Sequence, residues 1–187
     1  MRVPPAFHGT GISRRRLLAC LAGAAAAAVA RPVPLSAAAP DRRVLSFVHT
    51  HTGGRLTIAY REGEAFLQDG LAALNRFLRD FRTGHEYPMD AALFDILHDL
   101  RVATGAAEPF QVISAYRSPA SNAMLRDRGR GVASGSLHVQ GRAIDIRLAD
   151  VPTDRLRDAA LTLQRGGVGY YGSSDFIHVD TGRVRRW

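Results

Sequence analysis

Residues 136–146 read SLHVQGRAIDI and contain the most informative turn and strand pattern of the sequence. Gly141 permits a turn after His138, and the residues beyond it alternate in the manner of a β-strand. Because successive side chains of a strand point to opposite faces, Asp145 would face away from the core that Ile144 enters. The stretch therefore predicts an aspartate on the open face of a strand, with a histidine just before the turn that leads into that strand.

A second strand with the same alternation follows at residues 176–180, FIHVD, and it places His178 and Asp180 on one face. If the two strands are neighbours, His138, Asp145 and His178 surround one point. Two imidazoles and one carboxylate are the three-ligand set of a catalytic zinc whose fourth position holds water. The pattern alone leaves open a capped surface histidine and a strand-end aspartate.

Strands and helices occur in groups without strict βαβ alternation, which favours an α+β fold. We expect an antiparallel sheet with packed helices and the metal on the open face of the sheet. Strands are predicted at residues 43–49, 55–60, 110–116, 142–148, 168–171 and 176–180. Helices are predicted at residues 67–81, 93–100 after an N-cap at Asp90, 119–128 and 153–164, and a loop at 129–136.

The first 40 residues differ in composition from the rest. They hold no Asp or Glu but five of the 25 basic residues, so the remainder has 20 basic and 17 acidic residues, a net charge of +3 instead of +8. Its arginines are interleaved with acids, which argues against nucleic-acid binding despite a pI of about 10.8. The remainder, roughly 150 residues, is long enough for one domain with its own core.

Residues 13–18, SRRRLL, are close to a twin-arginine signal, and an apolar run over residues 17–30 follows. This run is too short and too weakly hydrophobic for a confident membrane span. Small residues offer cleavage sites after Ala30 or after Ala38, of which we favour the second. The sequence thus predicts export to the periplasm by the twin-arginine pathway.

Cleavage after Ala38 divides the chain into a signal peptide, residues 1–38, and a single domain, residues 39–187. Cys20 is the only cysteine and would leave with the signal. The mature domain would therefore contain neither a disulfide nor a cysteine metal site. A lipid anchor on Cys20 is the less favoured alternative.

Three other motifs carry less weight. Residues 167–172 match the dinucleotide pattern GxGxxG, but they follow a predicted helix instead of opening one. No GxSxG nucleophile elbow is present. His49 and His51 share one strand face at a hairpin, where polar residues are ordinary, so a surface location is favoured over a ligand pair.

The spacing Ser-x-His-(x)6-Asp with a late histidine resembles the zinc peptidases of the lysostaphin, D-alanyl-D-alanine peptidase and sonic hedgehog types. More narrowly, residues 110–119, 136–146, 166–171 and 176–187, with the RDFRTG motif at residues 79–84, are similar to the YcbK-type murein endopeptidases. The twin-arginine leader is also similar to that group. The resemblance covers nearly the whole mature chain and implies a hedgehog-like or D-Ala-D-Ala-peptidase-like zinc site.

The resemblance implies a periplasmic zinc metallopeptidase that hydrolyses peptide crosslinks of peptidoglycan. His138, Asp145 and His178 would bind Zn²⁺, and peptidoglycan stem peptides would be the substrate. We further expect a monomer with no nucleic-acid partner and no stable membrane span in the mature form. The alternative is a zinc-containing cell-wall-binding module that has lost turnover.

Two departures from the family pattern motivate that alternative. In related D-alanyl-D-alanine dipeptidases a glutamate three residues before the last zinc histidine is the general base, and here the shorter Asp175 has that position, with Asp180 as the reserve candidate. Phe176 stands where many relatives carry a histidine. Arg117 matches the arginine of the Tyr-Arg-Ser motif, which would stabilise the oxyanion or hold a substrate carboxylate.

Overall fold

The computed structural model describes residue 1, residues 41–128, residue 133 and residues 135–187. The predicted signal peptide, with its twin-arginine motif and Cys20, lies outside the described residues apart from Met1. Most of the loop predicted at residues 129–136 lies outside them as well. Within the described ranges, no helix is long and apolar enough to cross a bilayer.

The described chain is built on one eight-stranded sheet with four α-helices. The strands are β1 Arg42–His49, β2 Arg55–Glu62, β3 Ala65–Phe66, β4 Phe110–Ser114, β5 Ala143–Arg147, β6 Gly167–Tyr171, β7 Phe176–Asp180 and β8 Arg185–Arg186. The helices are α1 Gln68–Phe77, α2 Ala91–Thr104, α3 Pro119–Asp127 and α4 Thr153–Leu163, and a 3-10 turn spans Leu137–Gln140. The order across the sheet is β3-β2-β1-β4-β5-β7-β6-β8. The predicted mixture of α and β structure is confirmed.

The prediction of a purely antiparallel sheet is wrong at two strand pairs. Of the seven neighbouring pairs that the described residues form, five are antiparallel, but β4 runs parallel to β1 and β8 runs parallel to β6. Between β1 and β4 the chain passes through two strands and two helices, a crossover long enough to return in the original direction. After β7 a turn reverses the chain again and brings β8 to the free edge of β6. Alternation identifies a strand but does not select its neighbour.

The core contains the apolar faces of the sheet and of helices α1, α2 and α4. Ile144 and Ile146 of β5 are fully buried in it together with Leu93 and Leu97 of α2. Asp145 lies between the two isoleucines in sequence and therefore points to the opposite face of β5. The alternation read from the sequence thus assigns the two faces of this strand correctly.

Helix α1 is shorter than its apolar spacing predicts. It ends at Phe77, so Phe81 lies in the turn beyond it although the helical period continues to that residue. The buried carboxylate of Asp80 accepts hydrogen bonds from the backbone N–H and the hydroxyl of Ser118, at 2.9 and 2.6 Å. This tertiary contact draws the chain away from the helix axis and ties it to the start of α3.

Candidate metal centre

The sheet register and one tight turn bring the three predicted ligands together. Asp145 on β5 and His178 on β7 are direct cross-strand partners, so their side chains share one face. His138 lies in the 3-10 turn that Gly141 ends with a φ of 67°. A Cβ atom at Gly141 would also collide with the carbonyl oxygen of Pro88, so this turn requires glycine.

Three ligand atoms converge in this cluster. His138 Nε2 lies 3.2 Å from His178 Nδ1 and 3.3 Å from Asp145 Oδ1, and the latter two atoms are 2.9 Å apart. All three residues are buried, with exposed fractions of 3 to 8%. The structure therefore assembles all three residues that the sequence singled out as metal ligands.

The spacing of these atoms suits a single metal ion. Zinc bonds of about 2.0–2.1 Å at tetrahedral angles place ligand atoms roughly 3.3 Å apart. The observed separations are 2.9 to 3.3 Å. Imidazole nitrogens with one carboxylate oxygen are also a donor set that zinc accepts.

Each imidazole is held by a hydrogen bond on its other nitrogen. His138 Nδ1–H donates to the carbonyl oxygen of Ala115 at 2.6 Å, which leaves the Nε2 lone pair facing the centre. His178 Nε2–H donates to Asp180 Oδ2 at 3.0 Å, which leaves Nδ1 facing it. Such outer contacts fix the tautomer and the orientation of metal-binding histidines.

The electrostatics of the cluster favour a bound cation. Burial alone would raise the pKa of Asp145, but the neighbouring His138 and His178 hold that pKa well below its usual range. Burial alone would lower the pKa of His178, whereas its hydrogen bonds with Asp145 and Asp180 raise that pKa above its ordinary value. The site thus pairs an ionised carboxylate with positive charge, and a metal ion would replace that charge.

Asp180 is almost completely buried and saturated with hydrogen bonds. Besides His178, it accepts bonds from the backbone N–H of Gly167 at 3.0 Å, the backbone N–H of Gly182 at 2.8 Å and the Arg185 guanidinium at 2.7 Å. Although burial would raise the pKa of Asp180, these donors hold it well below its usual range. These hydrogen bonds hold the Asp180 carboxylate in the position from which it orients His178.

Asp180→Asn is expected to weaken zinc binding by about 10- to 100-fold, the usual effect of losing such an outer partner. Asparagine keeps the size of the side chain but loses the charge that His178 and Arg185 share. Competition with a chelator measures the zinc affinity. Asp69→Asn, at an exposed position in the first turn of α1, is the control. An unchanged zinc affinity in Asp180→Asn would show that the contact has no such role.

Arg117 lies beside the cluster with incomplete hydrogen bonding. Its guanidinium is 3.4 Å from both Asn122 Oδ1 and Ser114 Oγ and 3.8 Å from Asp145 Oδ2. Burial lowers the pKa of Arg117, and its Nε has no partner among the described residues. Arg117 also lines the cleft above the cluster, which places its guanidinium where it can meet an oxygen of a ligand.

The structure does not bring Asp175 to the three ligands. Its carboxylate accepts hydrogen bonds from the Thr153 hydroxyl and from Arg147 Nη1, the latter at 3.3 Å. The side chain is 63% exposed and lies outside the residues that line the cleft, although Phe176, the next residue, does line it. A role for Asp175 as the base stays a prediction, and it requires the carboxylate to leave Thr153 and Arg147.

The cleft above the cluster has a volume of about 510 Å³ and extends to residues that the sequence did not single out as site residues. Its lining includes His51, Arg82, Tyr171 and Trp187. The surface interpretation of the histidine pair is wrong for His49, which is buried with its Nδ1 accepting a bond from the backbone N–H of His51 at 3.2 Å. Burial lowers the pKa of His49 to about 4, so its ring is neutral at pH 7.

A buried cluster of two imidazoles and one carboxylate beneath an open cleft is an arrangement typical of mononuclear metal-dependent hydrolases. Comparison with known protein families then defines the relationship further. The chain belongs to the peptidase family described as "Peptidoglycan L,D-endopeptidase MepK", whose model matches residues 37–187.

Individual relatives agree with this assignment. The Peptidoglycan L,D-endopeptidase MepK of Escherichia coli strain K12 is 41% identical over 177 residues, which cover 94% of this chain and 97% of the relative. The protein of the same name from Shigella flexneri has the same identity and coverage. The "Probable peptidoglycan L,D-endopeptidase MepK" of Haemophilus influenzae is 42% identical over 149 residues, 79% of this chain and 80% of the relative.

Proposed function

We propose that this chain is an exported zinc peptidase that hydrolyses the peptide crosslinks of peptidoglycan. Its family and relatives support the reaction class and the substrate. The observation that carries the proposal is the convergence of His138 Nε2, Asp145 Oδ1 and His178 Nδ1 within 3.3 Å of one another. Without that convergence, the part of the chain that the structure describes would offer no candidate metal centre at which to activate water.

His138, Asp145 and His178 would hold the zinc ion on the face of the sheet. Bound zinc lowers the pKa of a coordinated water toward about 7 and polarises a carbonyl. The protein keeps both imidazoles in the metal-binding tautomer through Ala115 and Asp180. It also keeps Asp145 ionised, so no proton competes for that ligand position at neutral pH.

Arg117 would bind the oxygen on which negative charge develops during hydrolysis, or a carboxylate of the stem peptide. Its position in the lining of the cleft beside Asp145 supports this role. Asp175 would accept the proton of the attacking water and pass it to the leaving amine. Its exposed side chain directly precedes β7, and the carboxylate would have to leave Thr153 and Arg147 to take this role.

Incubating the purified domain, residues 39–187, with crosslinked muropeptides tests this function. If the chain is a peptidase, free monomeric muropeptides should appear, and a chelator should abolish their release. The binding-module alternative predicts retention of wall fragments without cleavage. The engagement of Asp175 by Thr153 and Arg147 is the observation that favours that alternative.

Export by the twin-arginine pathway is the remaining part of the proposal. Changing Arg14 and Arg15 together to Lys is expected to trap the full-length precursor in the cytoplasm, because the paired arginines are the signal that this pathway reads. Cell fractionation followed by immunoblotting measures the distribution. The unchanged chain is the control, and periplasmic accumulation of the double variant would refute the assignment. N-terminal sequencing of the exported form locates the cleavage site.

A further inference from the structure

One wall of the cleft comes from the last residue of the described chain. β8 pairs with β6, and Trp187 continues the pairing: its backbone N–H donates to the carbonyl of Val168 at 3.2 Å, and its carbonyl accepts from the N–H of Tyr170 at 3.1 Å. The indole lies over Gly169, where a Cβ atom would approach the ring to 2.7 Å. Gly169 is the cross-strand partner of His178, so the indole occupies the place next to a candidate metal ligand.

Three contacts hold the indole in this position. Its Nε1–H donates to the Tyr171 hydroxyl at 3.0 Å, the Arg185 guanidinium lies 4.8 Å from the ring centre, and the His178 ring centre is 5.2 Å away. Tyr171 is stacked on Phe176, with ring centres 4.6 Å apart. We call Tyr171, Phe176 and Trp187 the aromatic wall. All three residues line the same cleft as the metal cluster.

This arrangement explains two of the glycines in the GxGxxG-like segment at residues 167–172. Gly169 leaves room for the indole, and a Cβ atom at Gly167 would collide with Arg185 and Asp180. Residues on β6 that face the cleft therefore lack side chains wherever the β8 segment crosses them. The glycines on β6 leave the space that Trp187 occupies beside the cluster.

The aromatic wall is half open to solvent. Trp187 is 51% exposed and Tyr171 is 38% exposed. Aromatic rings bury large areas when they are covered, so exposed rings in a cleft indicate a surface that another molecule covers. The proposed reaction assigns no task to any of the three rings.

We infer that the aromatic wall is a substrate subsite that binds the aliphatic side chain of the residue adjoining the scissile peptide bond. The inference rests on the proposed function for the identity of the substrate. Residues of an extended peptide are about 3.3–3.6 Å apart. A ring centred 5.2 Å from His178 therefore lies within one or two residues of a bond held at the cluster. The exposed parts of Trp187 and Tyr171 offer an apolar surface, which suits a hydrocarbon chain.

Trp187→Ala is expected to raise KM for crosslinked muropeptides about tenfold, the size of effect that lost hydrophobic contact in a pocket produces. kcat should change by less than about twofold, since the contact is made equally in the ground state and the transition state. Trp187→Phe should restore most of the affinity. Tyr170→Ala is the matched control, because Tyr170 is 39% exposed like its neighbour Tyr171 but faces away from the cleft. An unchanged KM in Trp187→Ala would overturn the inference.

Truncated substrates separate a subsite from a purely structural role. Two synthetic stem-peptide dimers are needed, each with a shortened hydrocarbon chain in the residue on one side of the scissile bond. For one of them the KM of the unchanged protein should rise to the level of Trp187→Ala, and the substitution should then add no further effect. If the full tenfold effect persists with both dimers, the indole acts through the fold and the subsite is wrong.

Trp187 is the single tryptophan of the sequence, so its fluorescence reports directly on the aromatic wall. Titrating the zinc-loaded protein with a dimer whose scissile amide is replaced by a non-hydrolysable methylene-amine linkage should give a saturable change in emission. Such a change without cleavage of the natural dimer would support the subsite and contradict hydrolysis. Cleavage with unchanged emission would support hydrolysis and contradict the subsite.

Discussion

Replacing His138, Asp145 or His178 by alanine is expected to abolish bound zinc and peptidase activity together. Each residue supplies one of three protein atoms that converge within 3.3 Å, and two donors do not form a closed site. Activity should fall to the level of the metal-free protein, and the zinc content measured by atomic absorption should fall in parallel.

His85→Ala is the matched control for the ligand substitutions. His85 is an exposed histidine outside the residues that line the cleft, so its loss should leave zinc content and turnover unchanged. Thermal unfolding of each variant separates loss of metal from loss of fold, because a folded variant without zinc still unfolds cooperatively. A ligand variant that keeps both one zinc ion and wild-type turnover would show that its residue is not a ligand.

Asp175→Asn is expected to keep zinc and to lose a factor of about 10² to 10⁴ in kcat, the usual contribution of a general base. The amide has the same shape as the carboxylate but does not accept the proton of the attacking water. Zinc content and steady-state kinetics on crosslinked muropeptides are measured on the same preparation. Asp154→Asn, at an exposed position in α4, is the control.

The structure offers Asp180 as the alternative candidate for the general base. Asp175 is exposed and bound to Thr153 and Arg147, whereas Asp180 is buried in direct contact with His178. If Asp175→Asn stays near wild type while Asp180→Asn is inactive with its zinc retained, the base has been assigned to the wrong carboxylate. That outcome would not contradict the three proposed metal ligands.

The convergence of the three candidate metal ligands could be predicted from the sequence because local rules determine most of its geometry. Alternation on β5 and β7 assigns Asp145 and His178 to one face, and Gly141 marks the turn that returns His138 to it. Each of these signals lies within a few residues. Only the pairing of the two strands was an assumption, and the register confirms it.

Other parts of the fold depend on contacts between distant residues. The parallel placement of β4 beside β1 comes after a crossover through two strands and two helices. Helix α1 ends early where Asp80 binds Ser118, 38 residues away. The aromatic wall depends on β8 crossing the glycines of β6. No local period encodes these contacts, which explains why the sequence did not indicate them. The monomeric state stays a prediction.

The most direct test of the proposed function is a zinc titration of the metal-free domain in the presence of crosslinked muropeptides, with the release of monomers followed at each step. We predict no cleavage without metal and a linear rise in activity that ends at one zinc ion per chain. Cleavage by the metal-free domain, or one tightly bound zinc ion with no cleavage, would contradict it.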